Sequence, residues 1–182
     1  GISSNNITQD DLILVSRDIG AHGATIFTAR EGMDMHSNLK SDCNSLYPLV
    51  KALIDSGVKI TALRDATRGG VSAVLNEWAK QSNICIEVEE EQIPISDEVK
   101  GICEMLGFEA TNLANEGTFL LAIKKEDAAK AIEVLHKFEE AKNASIIGKV
   151  TSQYPQKVIL NSSWGTKRFL DTPTGELLPR IC

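Results

Sequence analysis

The stretch ITALRDATRGGVSAVLNEW, residues 60–78, decides the fold. Residues 60–63 predict a short strand, and 65–70 form a turn that contains two glycines. The apolar residues that follow recur at the spacing of one helix face: Val71, Val74, Leu75 and Trp78. The stretch therefore predicts a strand that passes into an amphipathic helix through a glycine-rich turn.

The same pattern extends to both sides of this stretch. Further strands are predicted at 12–15, 84–88, 119–123, 146–150, 157–160 and 167–170, and further helices at 24–30, 46–55 and 126–138. One more helix is predicted after Ser96 as its N-cap, with an apolar face of Val99, Ile102, Cys103 and Leu106. This order mixes βα units with a strand-rich end, which predicts the α/β (α+β) class: a layered α/β sandwich with a mixed β-sheet. We expect residues 1–170 to form this domain and 171–182 to form a flexible tail.

The composition of the chain limits which kinds of partner it can have. The chain has 182 residues, 42% of them hydrophobic, and a formal net charge of −6. This acidic balance argues against nucleic acid or an anionic membrane as the main partner. Because no apolar run approaches the ~20 residues of a membrane span and no signal peptide is visible, we expect a cytoplasmic protein.

The cysteines do not predict a metal site. They stand at positions 43, 85, 103 and 182 with no C-x-x-C pair, and the three histidines do not cluster with them. Cys182 is distinctive because it ends a tail in which Pro173, Gly175 and Pro179 oppose helix formation. At roughly 3.3–3.6 Å per residue, such an arm could reach on the order of 40 Å. It could carry a nucleophilic sulfur between reaction centres, or the cysteine could be incidental.

Three glycine-containing loops hold the other candidate residues. In the first, 18–23, His22 could position a proton or bind an anion, or could be an ordinary hydrogen-bonded turn residue. In the second, 65–70, we expect Thr67 to cap the helix. Asp65 and Arg68 flank it. The free N–H groups with Arg68 would form an anion pocket, or Thr67 and Asp65 could simply be capping residues.

The third loop, 112–117, contains Asn115 and Glu116. A carboxylate at the mouth of a buried strand can accept a proton or hold an amide group, although many such glutamates are only solvated.

Four segments together resemble the HypE family of hydrogenase maturation proteins: LVSRDIGAHG at 14–23, LRDATRGG at 63–70, LANEG at 113–117 and PRIC at 179–182. The family usually has glycine at the position of Arg17 and proline at the position of Ala66. Arg17 places a large cation beside the His22 loop, where it would affect the approach of a ligand.

The resemblance implies the C-terminal α/β domain of a two-domain enzyme of the aminoimidazole ribonucleotide synthetase and selenophosphate synthetase superfamily. It also implies that an N-terminal domain, absent from this chain, carries most of the site for ATP with Mg²⁺ and the homodimer interface. We therefore expect the chain to be part of a longer protein.

The activity implied by the resemblance is that of a carbamoyl dehydratase. Cys182 would accept a carbamoyl group from the carbamoyltransferase HypF. ATP-dependent dehydration would give a thiocyanate, and the cyanide would pass to iron on the HypC–HypD complex. Glu116 would bind or deprotonate the amide nitrogen, while His22, Asp65, Thr67, Arg68 and Asn115 would line the substrate and phosphate cleft. Another synthetase of the superfamily, or a noncatalytic module that presents its tail, is the alternative; Cys182 argues against the former.

Overall fold

The computed structural model describes residues 1–32 and 44–174. Cys182 and the rest of the predicted tail from 175 onward lie outside the described residues, as do His36 and Cys43. The described strands are β1 Leu12–Val15, β2 Ile60–Asp65, β3 Cys85–Glu89, β4 Phe119–Ile123, β5 Ser145–Thr151, β6 Val158–Asn161 and β7 Lys167–Phe169. The described helices are α1 Ala21–Arg30, α2 Tyr47–Asp55, α3 Gly70–Gln81, α4 Asp97–Leu106 and α5 Ala128–Leu135.

The strands form one seven-stranded sheet in the order β2-β4-β1-β5-β3-β6-β7. The β3 and β6 strands pair in parallel, whereas the other neighbours pair antiparallel. The mixed sheet expected from the sequence is therefore confirmed.

Helices cover both faces of this sheet. Successive side chains of a strand point to opposite faces, so apolar residues on both faces pack against helices. Ile13 and Val15 of β1 lie in one apolar cluster with α3, whose Leu75 and Trp78 are buried. Leu14 of β1 points to the opposite face and clusters with residues of α2 and α5. A third cluster joins α1 to α4 through Ala24 and Ile102. This arrangement is the predicted layered α/β sandwich.

The ends of two helices differ from the sequence prediction. The α1 helix begins at Ala21 instead of residue 24, since the N–H of Ala24 already donates to the Gly20 carbonyl at 3.0 Å. The α5 helix is shorter than 126–138 because Lys125–Asp127 forms a separate 3₁₀ turn. The earlier start of α1 matters for function, because it brings His22 into the first helical turn.

Cys85, Cys103 and the carboxylate of Glu87 are buried. Cys85 and Cys103 are buried free thiols, and burial raises the pKa of the Cys103 thiol. Burial alone would raise the pKa of Glu87 in β3. Hydrogen bonds from Asn161 and Lys167 and the nearby lysine charges outweigh that effect, so its pKa lies below the ordinary value.

In the part of the chain that the structure describes, no helix is long and apolar enough to cross a membrane.

Candidate active site

The three candidate loops meet at one edge of the sheet. The β4 strand, next to the edge strand β2, pairs antiparallel with β1 on one side and with β2 on the other. Val15 lies opposite Leu120, and Asp65 lies opposite Phe119. The loops after β1 and after β2 therefore lie beside the loop that enters β4. The order of the strands brings together residues that are far apart in the sequence.

Backbone hydrogen bonds join the third loop to the other two. The Ala66 N–H donates to the Thr118 carbonyl at 2.9 Å, and the Asn115 N–H donates to the Ala66 carbonyl at 3.0 Å. The Gly23 N–H donates to the Ala114 carbonyl at 3.0 Å. These bonds hold the three loops in a fixed arrangement.

Ser16 adds a contact that the sequence analysis did not identify. Its backbone N–H donates to the Phe119 carbonyl, and its hydroxyl oxygen accepts a hydrogen bond from the Phe119 N–H, both at 3.0 Å. The hydroxyl is thus used to continue the pairing of β1 and β4 at the base of the site. A serine after a buried strand is common in sequences, so the residue alone gave no signal of this role.

Asn115 lies beneath the loops with its side chain completely buried. Its Oδ1 accepts a hydrogen bond from the Gly20 N–H at 2.8 Å, while its Nδ2 donates to the carbonyls of Ala66 at 2.8 Å and Leu113 at 3.2 Å. The sequence grouped Asn115 with residues that line the cleft. The structure instead turns its amide toward the backbone of all three loops.

Gly70 permits the close approach of the second and third loops. Its φ is +64°, and an added Cβ would lie 2.4 Å from the Leu113 oxygen and 2.6 Å from the Thr111 oxygen. Because both neighbours are backbone atoms, a side chain at this position could be accommodated only by moving one loop away from the other.

We expect Gly70→Ala to lower the free energy of unfolding by about 3 kcal/mol or more, because a strained φ and an overpacked contact act together. Denaturant unfolding measures the change. Gly101→Ala is the control: Gly101 lies within α4 with no atom near the added Cβ, so alanine should stabilise by about 0.5–1 kcal/mol. Equal stability of wild type and Gly70→Ala would contradict the tight approach of the loops.

His22 and Glu116 form a polar pair between two candidate side chains. The His22 Nε2 lies 3.6 Å from the Glu116 Oε1, and the two side chains are 15% and 46% exposed respectively. His22 is held by the first turn of α1, and Glu116 directly follows the buried Asn115. A solvent-accessible carboxylate beside a mostly buried imidazole can accept a proton and pass it on.

The second loop holds its candidate residues at the start of α3. Asp65 ends β2 and is exposed, Thr67 is half-buried, and Arg68 is exposed. The expectation that Thr67 caps α3 is wrong: the N-cap is Gly69 in a left-handed conformation, and no side chain caps the helix. Thr67 contributes its backbone carbonyl instead, which accepts a hydrogen bond from the Gly70 N–H at 3.0 Å.

Arg17 and Ala66, the two residues that depart from the family pattern, have different surroundings. Ala66 is completely buried, and its N–H makes the bond to Thr118 that proline cannot make. Arg17 is half-buried, and its Nε is buried without a hydrogen-bond partner. Alanine thus strengthens the contact between the second and third loops, while Arg17 adds a cation next to the first.

Within 1–32 and 44–174, no group of three or more His, Cys, Asp or Glu side chains could hold a metal ion. The described part of the site therefore offers a carboxylate, an imidazole, a cation and loop N–H groups. This set suits proton transfer and the binding of an anionic group.

Comparisons with known proteins match the chain over almost its full length. The model of the family described as AIR synthase related protein, C-terminal domain, matches residues 8–161. The chain is 43% identical over 180 residues to the carbamoyl dehydratase HypE of Escherichia coli K12, a match that covers 98% of this chain and 52% of that protein. The chain thus spans about half the length of the curated relatives it matches.

Solved structures agree with the sequence match. A HypE structure in complex with ATP superimposes with a TM-score of 0.94 at 34% identity, covering 100% of this chain and 55% of that one. A HypE–HypF complex gives a TM-score of 0.90 at 37% identity, covering 95% of this chain and 56% of that one. These similarities confirm the fold expected from the sequence.

Proposed function

Because the chain belongs to the AIR synthase related family, as its C-terminal domain, and within it to the HypE proteins, we propose that it is the dehydration domain of a carbamoyl dehydratase in [NiFe] hydrogenase maturation. One observation carries the proposal: the loops bearing His22, Arg68 and Glu116 are joined at one edge of the sheet, with His22 and Glu116 3.6 Å apart. Such convergence is what a reaction that moves both protons and a phosphoryl group requires.

The reaction begins with a carbamoyl group on the Cys182 sulfur. The amide oxygen attacks the γ-phosphorus of ATP, and ADP leaves. Two protons then leave the amide nitrogen, the C–O bond breaks, and phosphate departs with the former amide oxygen. The product is a thiocyanate on Cys182, so the elements of one water molecule have been transferred to the phosphoryl group.

Glu116 is the residue we assign to the amide nitrogen. Its carboxylate is exposed enough to meet a substrate delivered on a tail, and the His22 imidazole lies close enough to stabilise it or receive its proton through a small movement. A positioned acid or base of this kind typically contributes ~10²–10⁴-fold to a rate.

The second loop is assigned to the phosphoryl group. Arg68 is exposed there, and no side chain caps the start of α3. The Gly70 N–H already bonds the Thr67 carbonyl, so the next N–H groups, those of Val71 and Ser72, are the ones we assign to an anion. Asp65 and Thr67 would line the same side of the cleft. We propose that most of the nucleotide, with Mg²⁺ on its phosphates, is bound by a second domain. The solved HypE–ATP complex supports the choice of nucleotide.

The proposed partners follow the route of the carbamoyl group. We propose that the carbamoyltransferase HypF loads Cys182, which the solved HypE–HypF complex supports. The HypC–HypD complex would accept the cyanide, and two copies of the protein would pair through the nucleotide domain. Because the carrier must remain a free thiol, we propose that the protein works in the reducing cytoplasm.

The proposal predicts a division of labour between the two halves of the protein. We expect the 182-residue chain alone to fold, because its strands and helices bury apolar clusters on both faces of the sheet, but to hydrolyse no ATP. The complete protein, supplied with ATP, carbamoyl phosphate and the transferase, should release phosphate and convert a carbamoyl adduct into a thiocyanate. Circular dichroism, phosphate release and intact mass measure these three properties.

Both proteins are compared side by side in that experiment. ATP turnover by the isolated chain would refute the division of labour. A complete protein that never gains a carbamoyl adduct would favour the noncatalytic module and refute the proposed function.

A further inference from the structure

We propose that Asn115 is a positioning residue for the dehydration step. Its single side chain forms hydrogen bonds with the backbone of all three loops. The inference rests on the proposed function and assigns to Asn115 no contact with the substrate. The Asn115 side chain bonds Gly20 before the His22 turn, Ala66 in the second loop and Leu113 in the third, so it can fix the distance between groups that do make contact.

The hydrogen bonds use all of the amide's polar atoms. An asparagine side chain offers one oxygen acceptor and two N–H donors. Here the oxygen accepts from Gly20 in the first loop, and the nitrogen donates to Ala66 in the second and to Leu113 in the third. Since two neighbours are carbonyls and one is an N–H group, the hydrogen-bond partners also determine the orientation of the amide.

Aspartate, serine and alanine cannot satisfy these three partners. Aspartate would keep the acceptor for Gly20 but would turn a carboxylate oxygen toward two carbonyl oxygens. Serine is too short to reach all three loops, and alanine would leave a buried N–H and a buried carbonyl without this partner. A buried polar group that loses its partner disturbs the local structure.

The tied atoms lie next to the proposed catalytic groups in the chain. Gly20 immediately precedes the first turn of α1, which holds His22, and Asn115 immediately precedes Glu116. The backbone N–H of Asn115 is bound as well, to Ala66. Loss of the side chain would leave the loops held by their backbone bonds alone, so the distance between His22 and Glu116 would be less tightly fixed. A displacement of about 1 Å at a reacting group can reduce a rate on the order of 10²-fold.

Asn76 provides a matched control for the structural cost of removing a buried asparagine. It is only 5% exposed, and its Nδ2 donates to the carbonyls of Ser72 at 2.8 Å and Leu170 at 2.9 Å. Like Asn115, it joins distant backbone segments, but neither carbonyl belongs to a candidate loop. Asn76→Ala and Asn115→Ala should thus destabilise the protein similarly and differ in their effect on the reaction.

The experiment uses the complete protein with ATP, carbamoyl phosphate and the transferase. Each variant is assayed for kcat and KM of dehydration, for thermal unfolding, and for hydrogen exchange of the Gly20 amide. We expect Asn115→Ala to reduce kcat on the order of 10²-fold with little change in KM for ATP, and to speed Gly20 exchange relative to amides in β5. Asn76→Ala should melt at a similarly lowered temperature while its kcat and Gly20 exchange stay at wild-type values.

Equal losses of kcat in the two variants would overturn the inference, as would wild-type kcat in an Asn115→Ala protein whose Gly20 amide exchanges freely. If Asn115→Ala does not fold, Asn115→Ser takes its place, because the smaller hydroxyl keeps one polar partner in the buried space. Should the wild type itself fail to dehydrate, the proposed function is wrong. Even then, unchanged hydrogen exchange of the Gly20 amide in the Asn115 variant would show that the Asn115 side chain does not hold the loops together.

Discussion

Cys182→Ala is expected to abolish the carbamoyl adduct and, with it, every later step. The sulfur is the atom to which the carbamoyl group would bond, and alanine offers no nucleophile in its place. Intact mass of the complete protein, incubated with ATP, carbamoyl phosphate and the transferase, should give the adduct and then its dehydrated form for wild type only. The loss is expected to be complete, because the substitution removes the only atom that we propose as the carrier.

The other cysteines provide the controls. Cys85 and Cys103 are buried, and the raised pKa of the Cys103 thiol keeps it in the less reactive protonated form. Cys43 lies outside the described residues, so Cys43→Ala tests the remaining thiol directly. Cys43→Ala and Cys103→Ala should both acquire the adduct. An adduct on Cys182→Ala would remove the central element of the proposed function.

The strands and helices could be predicted from local sequence, but their pairing could not. Residues 12–15 and 119–123 are apolar runs whose identity as strands follows from composition and length. That β4 inserts between β1 and β2 depends on packing across more than a hundred residues of chain, on which local periodicity gives no information. The meeting of the three loops follows from this strand order, so the sequence could predict the loops but not their convergence.

Within the site, some local interactions agree with the sequence prediction and others differ. Glu116 and His22 were singled out by position, and the structure pairs them. The prediction for Thr67 was wrong because Gly69, which tolerates a left-handed conformation, takes the cap position. The resemblance placed Asn115 among the residues that line the cleft, and the structure shows that its side chain is buried.

Glu116→Gln is expected to leave the carbamoyl adduct intact and to slow its dehydration by roughly 10²–10⁴-fold. Glutamine keeps the size of the side chain and much of its hydrogen-bonding shape but removes the charge and most of the basicity. The transferase meets Cys182 on the tail, whereas Glu116 acts where the third loop enters β4, so loading and dehydration should separate. The time courses of the adduct and the thiocyanate, both followed by intact mass, measure the two steps.

Glu109→Gln is the matched control for this substitution. The Glu109 side chain is 45% exposed, almost the same as Glu116 at 46%, but its Oε1 accepts a hydrogen bond from Arg168 at 2.8 Å instead of facing His22. Loss of that exposed ion pair should cost little, so Glu109→Gln should load and dehydrate as wild type does. If Glu116→Gln dehydrates at the wild-type rate, or folds but fails to be loaded, then Glu116 is not the group that acts on the amide nitrogen. The exposed carboxylate of Asp65, which ends the strand on the other side of β4, would become the next candidate for the role.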